Sequence, residues 1–195
     1  MNLTYKIIDK NQALLERIDA LARAVFPPDE LIAPMKILEY GNNDAKILAF
    51  FDDDTFVGFS ALFSYKNLAY LGFLAIEPCL QAKGYGRAIL QNLKDIYKDK
   101  IIVLEIEKLD ENAPNNAQRI KRAKFYERAG FIDSGHDISY LGVTYQVYSN
   151  SLNFDIKVFK AMFEEFSKNS NFKFILNLFC YNTSKENSSI AVAFM

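Results

Sequence analysis

The chain contains few of the cysteine and histidine residues on which disulfide frameworks and many metal sites depend, and it has no long uninterrupted apolar run. Its 195 residues include no tryptophan, two cysteines, Cys79 and Cys180, and one histidine, His136. Two cysteines are too few for a disulfide framework, so a reducing compartment is expected, and a cysteine nucleophile is disfavoured. The longest late apolar stretch, residues 172–181, is interrupted by polar side chains and is far shorter than the ~20 residues that span a bilayer.

The charge balance is nearly even, which disfavours a second group of functions. Lysine and arginine number 23 against 24 acidic residues, a net charge of −1 at pH 7. No basic field indicates nucleic acid, so any attraction for an anion must be local. The acidic residues 52–54 could hold a metal, but adjacent carboxylates in a turn are more often solvated, and no metal is expected. The N-terminal residues do not resemble a signal peptide, so we expect a soluble, cytoplasmic protein without a membrane partner.

Residues 71–90 form the most informative segment, because an apolar strand runs there into a basic, glycine-spaced turn that opens an amphipathic helix. Gly84 and Gly86 carry no Cβ, so backbone N–H groups can come close to a ligand. Lys83 and Arg87 add positive charge where the unpaired N–H groups of a helix N-terminus already favour an anion. The pattern predicts a pyrophosphate-binding turn.

Three phosphate-binding motifs compete for this turn. A Walker motif requires Gly-Lys-Ser/Thr, and Ile89 with the two residues after it excludes that motif. A dinucleotide fingerprint requires Gly or Ala where Ile89 stands, and although Glu105 has the spacing of its acidic residue, the preceding strands are predicted to be antiparallel hairpins. The remaining motif, Gln/Arg-x-x-Gly-x-Gly/Ala, is matched by Gln81-Ala-Lys-Gly-Tyr-Gly86. This match resembles the acetyl-CoA motif of the GNAT N-acetyltransferases.

A second motif lies downstream at the spacing that this family requires. Residues 122–131 have the sequence RAKFYERAGF, which resembles the helix end written FYERxGF in the family. The two motifs occur in the family's order, and the resemblance covers roughly residues 3–150. The alternative is a tight strand-to-helix turn followed by an ordinary glycine-capped helix.

Apolar periodicity predicts alternating strands and helices. Strands are expected at residues 3–8, 45–51, 55–65, 68–76, 101–107, 131–140 and 143–148, and helices at 12–25, 29–40, after the glycine turn, 117–129 and 152–168. Gly130 is placed to cap the fourth helix in the left-handed conformation. The resemblance implies that these elements form the α/β (α+β) GNAT fold, with a mixed, mostly antiparallel sheet of about seven strands, flanked by helices on both faces and splayed between strands 4 and 5.

The predicted domain organisation has one domain and an appendage. Residues 1–150 are expected to form the acetyltransferase domain, and residues 151–195 a C-terminal helix and tail that packs on it or mediates oligomerisation. A chain of 195 residues is long enough for one well-buried core. We expect a monomer or a homodimer.

The resemblance implies that acetyl-CoA is the co-substrate. Its pantetheine arm would pair with the backbone of Leu74, Ala75 and Ile76, as an added strand pairs with a sheet edge. Its pyrophosphate would lie on the turn and the first helical residues. The remaining cofactor-binding residues expected are Gln81, Ala82, Lys83, Gly84, Tyr85, Gly86, Arg87 and Ala88, together with Phe125 from the later helix.

Two residues are expected to carry the catalysis. An alkylammonium with a pKa near ~10.4 must lose a proton before it attacks the thioester, and the departing thiolate needs a proton donor. Tyr126 matches the family position that protonates the sulfur, although a packed aromatic is the alternative. Glu105 matches a carboxylate at the end of the fifth strand that acts as base in some members. Other groups could relay the proton through water instead, and the candidates are Glu107, Glu77, Tyr70 and Tyr140.

The expected function is transfer of an acetyl group to a primary amine of a small molecule or a peptide N-terminus. The alternatives are an acyl-CoA-binding module without transfer activity and a protein that binds a different nucleotide. Arg119 stands where some relatives have an asparagine that contacts the cofactor. The first two helices and the final hairpin would wall the acceptor pocket, with the acids Asp29, Glu30 and Glu39 and the aromatics Phe26, Tyr40, Tyr140 and Tyr145.

Overall fold

The helices and strands follow the apolar periodicity of the sequence closely. The computed structural model describes residues 3–8, 14–26, 34–40, 44–140 and 142–168. In chain order the elements are β1 (Thr4–Ile8), α1 (Leu14–Val25), α2 (Pro34–Tyr40), β2 (Ala45–Asp52), β3 (Thr55–Tyr65), β4 (Leu68–Ile76), a 3₁₀ turn (Pro78–Leu80), α3 (Tyr85–Ile96), β5 (Ile101–Glu107), α4 (Asn116–Arg128), β6 (Ile132–Tyr140), β7 (Val143–Ser149) and α5 (Ile156–Lys168).

The strands of the described chain form one mixed sheet with the order β1-β2-β3-β4-β5-β7-β6. The pairing of β4 with β5 is parallel, and the other neighbouring pairs are antiparallel. The final hairpin inserts its second strand, β7, beside β5, so that β6 lies at the edge. The predicted fold class, a mixed and mostly antiparallel sheet of seven strands, is confirmed.

The sheet opens between β4 and β5, as predicted. The two strands pair only at Leu68 with Ile101, Ala69 with Ile102 and Tyr70 with Val103. Residues 71–76 of β4 continue along β3 without a partner on the β5 side. Two thirds of β4, residues 71–76, therefore present an unpaired backbone edge to a wedge-shaped gap, and this gap positions the candidate site.

Helices cover both faces of the sheet, and each face has its own apolar core. The first core lies under α1, α2 and α5, and its buried members include Ile18, Ile37, Phe59, Phe159 and Met162. The second core lies under α3 and α4, and its buried members include Ile89, Leu93, Leu104, Ile106 and Tyr126. β5 contributes to both cores, which explains its nearly continuous apolar sequence.

α5 packs on the sheet but begins later than its apolar pattern predicts. Leu152 is 85% exposed and lies in a turn, whereas Asp155 accepts a hydrogen bond from the N–H of Lys157 at 2.8 Å and starts the helix. The boundary at residue 150 between domain and appendage stays a prediction. The predicted start of α2 at Asp29 and the tail 169–195 lie outside the described residues. None of the helices that the structure describes is long and apolar enough to cross a membrane.

Candidate active site

The turn after β4 has the backbone shape of an anion-binding loop. Ala82 and Gly84 both have positive φ, 58° and 90°, and Gly84 is the N-cap of α3 without any side-chain capping bond. Alternation of right- and left-handed residues points successive N–H groups toward one side. A Cβ built on Gly84 would meet nothing within 4 Å. The turn therefore combines directed N–H groups with open space beside Gly84.

The N–H groups available to a ligand are fewer than the sequence predicts. The N–H of Gln81 donates to the Pro78 carbonyl at 3.4 Å, and that of Ala88 donates to the Gly84 carbonyl at 3.1 Å as the first bond of α3. Residues 82–87 between them are left as the cradle. The Gln81 side chain donates to the Ile76 carbonyl at 3.2 Å, so it fastens the turn to the end of β4.

The motif residues around the cradle have different surroundings. Lys83 and Arg87 are exposed and free to approach an anion. The Tyr85 hydroxyl instead donates to the Asp52 carboxylate at 2.6 Å, and this bond raises the pKa of Tyr85. The last residue of β2 thus anchors the start of α3. No group of side chains suited to a metal ion occurs in the part of the chain that the structure describes.

Gly86 joins the turn to α4. A Cβ at this position would lie 3.1 Å from Cζ of Phe125 and 4.0 Å from Cγ1 of Ile76. Gly86, Phe125 and Ile76 therefore meet at one point below the cradle. The close packing of the Phe125 ring favours glycine at position 86, in addition to any contribution that Gly86 makes to ligand approach.

A groove of about 630 Å³ adjoins the turn between α3 and the end of α4. Arg87 of α3 and Arg128 of α4 place two cations on its walls. Its lining residues are Gly84, Arg87, Ala88, Gln91, Asn92, Arg128, Ala129 and Gly130. The groove gives the cradle a basic, open continuation on the α3–α4 face.

The end of α4 is closed by a Schellman motif, as the glycine pattern predicts. Gly130 has φ of 78°, its N–H donates to the Glu127 carbonyl at 2.9 Å, and the N–H of Phe131 donates to the Tyr126 carbonyl at 3.0 Å. The Phe131 ring also contacts the Tyr126 ring, with centroids 5.7 Å apart. Lys94 of α3 donates to the Ala129 carbonyl. These contacts fix Tyr126 on the face of α4 that points to the sheet.

Tyr126 is 2% exposed. Burial raises the pKa of its hydroxyl well above the usual value, the nearby Arg122 cation acts in the opposite direction, and the Glu105 carboxylate raises the pKa further. The hydroxyl therefore keeps its proton at neutral pH and can serve as a donor. α4 and β5 thus bring Tyr126 within the electrostatic range of the Glu105 carboxylate.

Glu105 is 6% exposed and lies two residues beyond Val103, the last residue of β5 that pairs with β4. Tyr70 is the last residue of β4 that pairs with β5, and its hydroxyl donates to Oε1 of Glu105 at 2.5 Å. Burial, followed by the Glu105 charge and this hydrogen bond, raises the pKa of Tyr70 well above its usual value. The bond spans the gap at the point where the two strands separate.

Glu107 belongs to a buried ionic cluster that sequence reasoning missed. Its carboxylate pairs with Arg119 at 2.9 Å and with Arg122 at 3.1 Å, and the Asn115 amide lies 3.2 Å from both oxygens. The cluster fastens α4 to the end of β5. Arg119 stands where some relatives have a cofactor-contacting asparagine, and here its guanidinium pairs with Glu107 of the same chain. The only sequence signal was the spacing of two arginines one helical turn apart.

The other predicted candidates are distributed more widely. Glu77 pairs with Arg17 of α1 at 3.2 Å. Phe26 is buried and contacts Phe73 edge-on at 5.3 Å, and Tyr145 is fully buried, so neither lines an open pocket. Asp29 and Glu30, and the side chains of Glu39, Tyr40 and Tyr140, lie outside the described residues. Cys79 is exposed in the 3₁₀ turn, and His136 is exposed on the edge strand β6.

A sheet that opens between two parallel strands, with a basic turn at the end of β4 and a tyrosine-bearing helix after β5, has the arrangement of the GNAT fold. Residues 43–133 match the family model of the acetyltransferase (GNAT) domain. The resemblance to the GNAT family is therefore confirmed. No curated protein matches the sequence.

Solved structures share this fold at low sequence identity. A protein from Bacteroides thetaiotaomicron assigned to the GNAT family is 22% identical, with a TM-score of 0.67 over 93% of this chain and 99% of that one. An aminoglycoside 6'-N-acetyltransferase complexed with coenzyme A is 16% identical, with a TM-score of 0.57 over 78% and 98%. The ribosomal-protein-S18-alanine N-acetyltransferase from Escherichia coli is 17% identical, with a TM-score of 0.55 over 79% and 96%.

Proposed function

We propose that this chain is an acetyl-CoA-dependent N-acetyltransferase that acts on the primary amine of a small molecule or of a peptide N-terminus by direct transfer. The observation that carries the proposal is the basic turn at the end of β4, next to residues 71–76 of β4, which β5 leaves unpaired. Acyl-CoA uses both features, because its pyrophosphate is an anion and its pantetheine amides can pair with a strand edge.

The described residues fit an acyl-CoA. The N–H groups of residues 82–87 and the exposed cations Lys83 and Arg87 suit the pyrophosphate, and the groove between α3 and α4 offers room for the nucleotide half. The backbone of Leu74, Ala75 and Ile76 would hold the pantetheine arm. Because the Ile76 carbonyl already accepts a bond from Gln81, we expect the pairing to rest on the other two residues.

The acceptor classes rest on the structural relatives. One similar fold belongs to an enzyme whose name specifies an aminoglycoside, and another to an enzyme whose name specifies the alanine of a ribosomal protein. These are a small polyamine and a polypeptide respectively, and both offer a primary amine. We further expect a cytoplasmic protein that is a monomer or a homodimer.

The catalytic roles follow from the two buried groups. Acetyl-CoA, when bound, supplies an acyl group activated as a thioester. Glu105 accepts the proton that the ammonium must lose before attack, directly or through water. As the C–N bond forms and the C–S bond breaks, Tyr126 donates its proton to the departing sulfur. The raised pKa of Tyr126 keeps that proton in place at neutral pH.

A two-stage experiment tests the proposal. Calorimetric titration with acetyl-CoA first measures binding, and an assay for free CoA thiol then follows turnover with aliphatic polyamines, aminoglycosides and peptides with a free N-terminus. Binding with amine-dependent thiol release, and an acetylated acceptor by mass spectrometry, is the expected result. Binding without release for every amine would indicate an acyl-CoA-binding module. Absence of binding would remove the cofactor assignment.

A further inference from the structure

We infer that Tyr70 is a positioning residue that holds the Glu105 carboxylate in place for proton abstraction, and that α5 keeps Tyr70 there through Phe159 and Phe163. The inference rests on the proposed function, because Glu105 is its proposed base. It assigns a role in the active site to the C-terminal helix, which the sequence placed in an appendage.

The contact between Tyr70 and Glu105 joins the two strands where their backbones separate. Tyr70 pairs with Val103, and no further pair of β4 with β5 follows in the described chain. Glu105 lies two residues after Val103 on β5, and its Oε1 accepts a hydrogen bond from the Tyr70 hydroxyl, with 2.5 Å between the two oxygens. Both side chains are less than 10% exposed. The hydrogen bond therefore takes over the connection that the backbone has lost, at the closed end of the gap.

A donor on one carboxylate oxygen has two effects. It restricts rotation of the carboxyl group, so that Oε1 stays directed at β4, and it stabilises the charged form of Glu105 in a buried site. A base must be charged to accept a proton. Tyr70 remains a donor throughout, because burial and the neighbouring charge raise its own pKa.

Other ionisable groups face the pair from neighbouring elements. Tyr145 of β7 adds to the rise in the pKa of Tyr70, and the Glu105 charge raises the pKa of Tyr126 of α4. Glu107 follows on β5, but its charge is met by Arg119 and Arg122 of α4 in the ionic cluster described above.

The tyrosine ring is held by aromatic side chains from two directions. Phe63 of β3 stacks on it with centroids 5.9 Å apart. Phe159 and Phe163 of α5 contact it edge-on at 5.6 and 5.5 Å, and they contact one another at 4.9 Å. Because aromatic packing of this kind restricts ring position, α5 limits how far the hydroxyl can move from Glu105.

The test measures the Glu105 carboxyl directly and then its use in turnover. In the full chain with ¹³C-labelled glutamate, Glu105→Gln assigns the signal, and an NMR titration gives the carboxyl pKa in the wild type and in Tyr70→Phe, which keeps the ring. We expect Tyr70→Phe to raise that pKa by about 1–2 units, the range for a hydrogen bond to a charged group. Phe163→Leu should shift it in the same direction by less, whereas Tyr148→Phe, another buried tyrosine, should leave it unchanged.

Kinetics then distinguish the inference from the proposed function. If the protein acetylates an amine, the acidic limb of its kcat/KM profile should move to higher pH in Tyr70→Phe, and Tyr70→Phe should add nothing in a Glu105→Gln background. An unchanged Glu105 titration, or an undiminished effect of Tyr70→Phe in that background, would overturn the positioning role alone. Failure of the wild type to acetylate any amine would overturn the proposed function, whatever the titration shows.

Discussion

A valine at Gly84 tests whether the turn after β4 holds the cofactor. Gly84 has φ of 90°, and a Cβ there would enter open space rather than protein. The variant therefore leaves packing untouched but introduces backbone strain of about 1–2 kcal/mol, the cost of a left-handed L-residue. Gly135 of β6 is a matched control, because it has φ of 73° and also meets nothing within 4 Å. Both variants should lose similar stability in thermal unfolding.

Only one of the two variants should lose cofactor affinity. A valine side chain at Gly84 would stand in front of the N–H groups of residues 82–87 and separate them from an anion. Loss of one charge-assisted hydrogen bond is worth about 1.5–3 kcal/mol, which corresponds to a ~10–150-fold rise in the dissociation constant. Calorimetric titration with acetyl-CoA measures this directly. We expect Gly135→Val to bind like the wild type.

The outcome that contradicts the reasoning is equally specific. If Gly84→Val binds acetyl-CoA as tightly as the wild type while both variants are similarly destabilised, the turn does not hold the pyrophosphate. Gly86→Val cannot make this distinction, because its Cβ would meet the Phe125 ring at 3.1 Å and disturb the packing of α4 as well.

Three further predictions concern the catalytic groups and the sheet. Tyr126→Phe should lower kcat by ~10²–10⁴-fold with little change in acetyl-CoA affinity, and full turnover of the variant would mean that the ring only packs. The wild-type kcat should not fall on the alkaline side below pH ~10, because burial raises the pKa of the Tyr126 hydroxyl and its proton is lost only above that pH. Glu105→Gln should lower kcat/KM and flatten its acidic limb with little loss of stability. Glu107→Gln should instead lower the free energy of unfolding by about 3–5 kcal/mol in a denaturant titration, because the buried Arg122 and the partly buried Arg119 lose their counter-charge. The opposite pattern of effects would exchange the two roles. Gly58→Ala should destabilise the sheet beside the unpaired residues of β4, because its Cβ would lie 2.1 Å from the Ala75 carbonyl oxygen. Unchanged thermal unfolding together with unchanged acetyl-CoA affinity would contradict that geometry.

The elements and both motifs could be predicted from the sequence because their causes are local. β3, β4 and β5 have the predicted bounds, since runs of apolar and β-branched residues between turn residues specify a strand directly. Gly130 caps α4 as predicted, because only a residue without Cβ adopts its positive φ without cost. The basic glycine turn is likewise written in six consecutive residues.

Tertiary structure alone decided the surroundings of each catalytic candidate. The contacts of Tyr70 with Glu105 and of Tyr85 with Asp52 join residues 35 and 33 positions apart. The first lies where β4 and β5 stop pairing with one another, and the second joins the end of β2 to the start of α3. Glu105 and Glu107 lie two residues apart on one strand, and their sequence context is nearly the same. One carboxylate meets a tyrosine of β4 at the closed end of the gap, and the other meets two arginines of α4. Side-chain partners of this kind depend on which elements pack together, and periodicity along the chain does not contain that information.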